Sequence, residues 1–230
     1  MKRLMLAFSL VAASALAADA PANPFLTRST LPFQAPPFDK IKDADFQPAI
    51  EEGMTRELAE AERIANNTDA PTFENTIVAM EKTGDVLRRV SRVFFGLSQS
   101  NTNPTLQKAQ SELAPKLAAH NDAIRLNPKL FARVKAVYDE RGTLNLDPEQ
   151  KRLVERYYRD FVRGGAQLSD DDKATLRALN KEQSQLTTEF RKKVLAETNA
   201  QAVVVDDIRQ LAGLPDADIA AAGEAAKGRG

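Results

Sequence analysis

One histidine, His120, is present in this sequence, and that count restricts the chemistry open to it. Histidine is the usual general base and metal ligand near neutral pH. A catalytic zinc site takes about three protein ligands, most often two histidines on one helix plus a carboxylate, as in H-E-x-x-H. This sequence cannot build that set. Cysteine is absent, which removes disulfides, thiolate nucleophiles and cysteine-ligated metals. None of G-x-x-x-x-G-K-[ST], G-x-G-x-x-G or G-x-S-x-G occurs, so neither a phosphate-cradling loop nor a nucleophile elbow is expected.

The remaining chemistry-bearing residues have plainer readings. His120 shares a helical phase with Leu113, Leu117 and Ile124, which predicts a partly buried imidazole bonded to a neighbouring helix rather than a ligand or base. The run Asp170-Asp171-Asp172 suits the positive end of a helix dipole, and Asp206-Asp207 suits a turn leading into a short helix. Arg88, Arg89 and Arg92 beside Phe94 and Phe95 read as a solvated helix face. No catalytic, cofactor-binding or metal-binding residue is assigned.

The elements that would position these residues are mostly helices. Pro24, Pro32, Pro36 and Pro37 punctuate 18–42 and predict an extended arm whose Phe25, Leu31, Phe33 and Phe38 dock on the body. A helix opens near Asp43 or Asp45 with Phe46, Ile50, Met54, Leu58, Ala61 and Ala65 on one face. After Pro71 the stripe Phe73, Ile77, Met80, Leu87, Phe94 and Leu97 keeps its rhythm past Gly84 to about Ser98. Three further starts use one device, a capping Asn or Asp followed by proline: Asn103-Pro104, Asn127-Pro128 and Asp147-Pro148, the last with Gln150 as capping-box partner. Gly142 and Gly164-Gly165 mark stops, the second after a helix burying Val154, Tyr157, Tyr158 and Phe161. Ser169 caps a last long helix reaching about Thr198, with Leu176, Leu179, Leu186, Phe190 and Val194 as its stripe.

The fold class expected is all-α: an irregular antiparallel bundle over 43–199, a Pro-rich arm over 18–42, and one short β segment at Ala202–Val205 within a strand-turn-helix unit over 200–230. Thirty-two basic residues balance thirty-two acidic ones, so no net field draws the chain to nucleic acid or an anionic membrane. The first residues, "MKRLMLAFSLVAASALAADA", read as a signal peptide over 1–17 cleaved after Ala17. Export to a periplasm follows, with no membrane attachment once the leader is gone.

Six runs carry a more specific signal: "NPFL", "LPFQAPPFDKIKDADFQPAIEEGM", "TFENTIVAMEKTG", "AAHNDAIRLNPKLFARVKAVYD", "FVRGGAQLSDDDKATLRALNKEQSQLTTEF" and "LAGLP". Together they resemble the N-terminal region of the thimet oligopeptidase family of zinc metallopeptidases, in particular its exported peptidyl-dipeptidases, from about Asn23 to the C-terminus. The resemblance implies a zinc enzyme that removes dipeptides from the C-termini of oligopeptides inside a channel between two helical halves. Zinc would belong to the full-length enzyme and not to this chain, because no position matches a metal ligand, the catalytic glutamate or the substrate-binding tyrosine and histidines. The resemblance further implies that the catalytic C-terminal half lies beyond Gly230, that the β-branched run at Val203–Val205 pairs with strands from there, and that this chain alone is inactive. A different reading is a stand-alone periplasmic helical binding or scaffold protein derived from such a peptidase.

Overall fold

The computed structural model describes residues 23–227, and the leader expected over 1–17 lies outside them. Eight α-helices follow in order: α1 (Asp43–Ala65), α2 (Ala79–Glu81), α3 (Asp85–Ser100), α4 (Pro104–Arg125), α5 (Pro128–Glu140), α6 (Pro148–Arg163), α7 (Asp170–Ala200) and α8 (Asp216–Lys227). The described residues contain no strand.

Local capping sets most of these boundaries. The side-chain oxygens of Asn103, Asn127 and Asp147 accept from backbone N–H groups of the first turns of α4, α5 and α6, each with proline at the first helical position. Gln150 returns the bond, its Oε1 accepting from the N–H of Asp147 at 3.1 Å. Ser169 Oγ accepts from Asp172 at the start of α7, and the Asp45 carboxylate accepts the Lys42 N–H at the start of α1.

The helix expected from Pro71 to Ser98 is broken. It begins as a π-helical turn, Phe73–Val78, continues as α2 and stops at Gly84, whose φ is +70°. That left-handed backbone suits glycine. Its N–H donates to Glu60 Oε2 at 2.8 Å, and a Cβ there would sit 2.4 Å from Glu57 Oε1. Apolar spacing runs through the break because both flanking helices face the same neighbour, α1.

Two apolar clusters share α1. Its N-terminal half gives Phe46, Ala49, Ile50 and Met54 to a core with Phe25, Val90, Phe94, Leu106 and Leu113. Its C-terminal half gives Ala61, Ile64 and Ala65 to a core with Phe73, Ile77, Leu130, Val134, Val154 and Phe161. Between them Gly53 lets α3 come close, for a Cβ at that position would lie 2.8 Å from the Leu87 backbone. Tyr157 and Tyr158 are half-buried at the edge of the second core.

Three expectations are corrected. Of the four side chains expected to dock, Phe25 alone is buried, 5.0 Å from the Phe46 ring, with Leu26 and Ile41 packed beside it; Leu31, Phe33 and Phe38 are exposed, and 3-10 turns at Pro24–Leu26 and Pro32–Gln34 interrupt the arm. The Ala202–Val205 run is not a strand but irregular, with Val203 and Val204 exposed, since no described segment lies beside it to accept its hydrogen bonds. The stripe on α7 is not core. Leu186 is 57% and Phe190 67% exposed, with Leu179 and Val194 also outward. The row that meets α4 is Leu176, Asn180, Ser184 and Thr188, and Asn180 Nδ2 donates to the buried Asp122 Oδ1 at 2.7 Å. Hydrogen bonding rather than apolar burial chose the inward face of this helix.

Candidate functional site

His120 sits one turn from the end of α4 and is 7% exposed. Its Nε2 lies 2.7 Å from Glu57 Oε2 on α1, so an imidazole N–H faces a carboxylate across the helix pair. The sequence expectation of a buried histidine tied to a neighbouring helix holds. Nδ1 is buried with no partner among the described residues. One ring nitrogen is engaged and the other enclosed, so the imidazole ties α1 to α4.

Beside this pair an open cleft of about 290 Å³ lies between α1, α2, α3, α4 and α6. Glu57, Glu81, Arg88, Arg125, Arg156 and Tyr157 reach into it. The Tyr157 hydroxyl donates to Glu81 Oε1 at 2.6 Å. Burial, with the adjoining carboxylate, pushes that phenol well above its ordinary range. A second cleft of about 420 Å³ runs between α4 and α7, lined by the amides and hydroxyls of Asn121, Asn180, Gln183, Ser184 and Thr187.

Among the described residues no three His, Asp or Glu side chains come together as a ligand set, and His120 with Glu57 supplies two donors already committed to each other. Among the described residues the donors do not fit a zinc site of the usual kind.

Dipeptidyl carboxypeptidase of Escherichia coli is 45% identical over 208 residues, which is 90% of this chain and 30% of the relative. The dipeptidyl carboxypeptidase of Salmonella typhimurium is 44% identical over the same length. This chain is homologous to the dipeptidyl carboxypeptidases. Oligopeptidase A of Escherichia coli is more distant, 26% identical over 200 residues, as expected for the thimet oligopeptidase resemblance. No family model matches the chain. The chain spans about 30% of the length of the dipeptidyl carboxypeptidases it matches.

The residues singled out in the sequence fall in separate places. Asp170, Asp171 and Asp172 are exposed in the first turn of α7. Asp207 caps the 3-10 turn Ile208–Leu211, and the Arg209 guanidinium beside it holds its carboxyl below the usual range. The basic cluster divides, against the expectation of a uniform solvated face. Arg88 and Arg92 are exposed, whereas Arg89 pairs with Asp85 at 2.8 Å and donates to the Phe25 carbonyl at 2.7 Å, clamping the arm. Sequence reasoning missed Arg133, 6% exposed on α5, which donates to the carbonyls of Asn67 and Asp69 and to Asn75 Oδ1. It also missed Asp122. The signal available was a charge lying on an apolar row, since Arg133 neighbours Leu130, Val134 and Val137.

Proposed function

We propose that this chain is the N-terminal, channel-forming helical part of an exported zinc peptidyl-dipeptidase, which releases dipeptides from the C-termini of oligopeptides. The observation that carries the reading is the 45% identity to a dipeptidyl carboxypeptidase over 30% of that enzyme's length. The exposed α7 stripe supports it, because a relative's remaining length offers a surface that could cover Leu186 and Phe190. Zinc and the catalytic groups would come from that remaining length, as the donors here do not form a ligand set. Within the proposal the domains run 1–17 leader, 18–42 arm, 43–199 helical domain and 200–230 the start of the next part.

The experiment is to express the open reading frame that contains this chain, to its natural stop, and supply a blocked oligopeptide. Stepwise release of C-terminal dipeptides, abolished by a chelator and restored by zinc, is the expected result. The segment ending at Gly230 alone should release none. A reading frame that stops after Gly230 and gives no cleavage would overturn the proposal in favour of a stand-alone helical binding or scaffold protein. Export is read separately: periplasmic protein should have a mature N-terminus at Ala18, by mass.

A further inference from the structure

The cleft beside His120 has an imbalance that the peptidase reading does not use. Three guanidinium groups line it from three different helices: Arg88 on α3, Arg125 on α4 and Arg156 on α6. Close pairing has a clear form in this molecule, Arg89 to Asp85 at 2.8 Å and Arg209 to Asp207 at 2.7 Å. The cleft's three arginines are held more loosely. Arg88 is 3.9 Å from Asp85 and donates through Nη1 to the Thr83 carbonyl at 3.4 Å, Arg156 is 3.8 Å from Asp160, and Arg125 makes no ion pair among the described residues, standing 5.8 Å from the Phe161 ring.

The two carboxylates of the same cleft are in the opposite condition. Glu57 is engaged by His120 at 2.7 Å and Glu81 by the Tyr157 hydroxyl at 2.6 Å. The cleft's acids are therefore occupied while its arginines keep most of their donors free. A guanidinium offers five N–H groups in a planar fork matched to carboxylate and phosphate oxygens. Three of them around one cavity would supply several charge-assisted bonds to one small ligand, and the cavity of about 290 Å³ admits a small organic acid or phosphate ester.

We infer that the cleft between α1, α2, α3, α4 and α6 binds a small oxyanion, carried on a carboxylate or a phosphate, through Arg88, Arg125 and Arg156.

Calorimetric titration of the chain with inorganic phosphate and with succinate, against chloride at matched ionic strength, tests this. Saturable binding of phosphate, succinate or both is expected, and which one saturates identifies the group. Arg125→Gln should weaken it by about tenfold or more, as loss of a charge-assisted fork would. Arg156→Gln should weaken it too, serving as the second variant if Arg125→Gln fails to fold by circular dichroism. Arg141→Gln, whose guanidinium stacks on Tyr138 at 3.8 Å, should bind as the parent does. Absence of saturable binding, an equal response to chloride, or unchanged affinity in a folded Arg125→Gln or Arg156→Gln variant would each overturn the assignment.

Discussion

Phe94 is fully buried, its ring 5.5 Å from Phe46 and 5.2 Å from Phe95. Phe94→Ala should lower unfolding free energy by about 3–5 kcal/mol, the loss of a core aromatic and its cavity. Leu186→Ala should change it by about 0.5 kcal/mol or less, since that side chain faces solvent; urea melts of both variants check the pair. Tyr157 supplies a pH test. Its folded pKa lies above the unfolded one, so the folded chain holds the proton more tightly, and the resulting stabilisation is complete below pH ~10 and is lost as pH rises further. Tyr157→Phe should lose less stability between pH ~9 and ~11 than the parent, read from urea midpoints. At this scale the sequence was legible wherever a residue acts on its own turn. Asn103, Asn127, Asp147 and Ser169 cap locally and were readable. Arg133 was not, because its partners lie 58 to 66 positions away.

Among the elements, the break before α3 is the sharpest test of the architecture. Gly84→Ala must place a side chain at φ +70° and against Glu57, at a cost of about 1–2 kcal/mol for the left-handed backbone alone. A thermal melt lowered by several degrees is expected, with Gly142→Ala, open on all sides, as the unaffected comparison. Helix existence was readable from periodicity, yet the orientation of α7 was not. Its apolar row Leu179, Leu186, Phe190 and Val194 satisfies the rule for a buried face. The inward row instead carries Asn180, which meets Asp122, a pairing invisible to a hydrophobicity pattern. Replacing Leu186 and Phe190 together with Lys should leave the melt almost unchanged and reduce binding of an apolar dye, because these side chains are on the surface of the chain.

At the scale of the whole molecule, two cores hang from one helix. Phe46 to Met54 serve the first and Ala61 to Ala65 the second, with the Glu57–His120 contact between them. The candidate site was legible in the sequence as a single buried histidine; the arginines around it were not, being brought together from α3, α4 and α6. The shared helix also sets how the chain opens. Amide exchange should divide into an α3–α4 unit and an α5–α6 unit, each able to open alone, while the amides of α1 exchange only when both have opened. Gly53 is the coupling between the first unit and this shaft, since α3 can approach only where no Cβ intervenes. An alanine there would raise exchange in α3 and α4 and spare α5 and α6, loosening one unit from the shaft while the other keeps its grip.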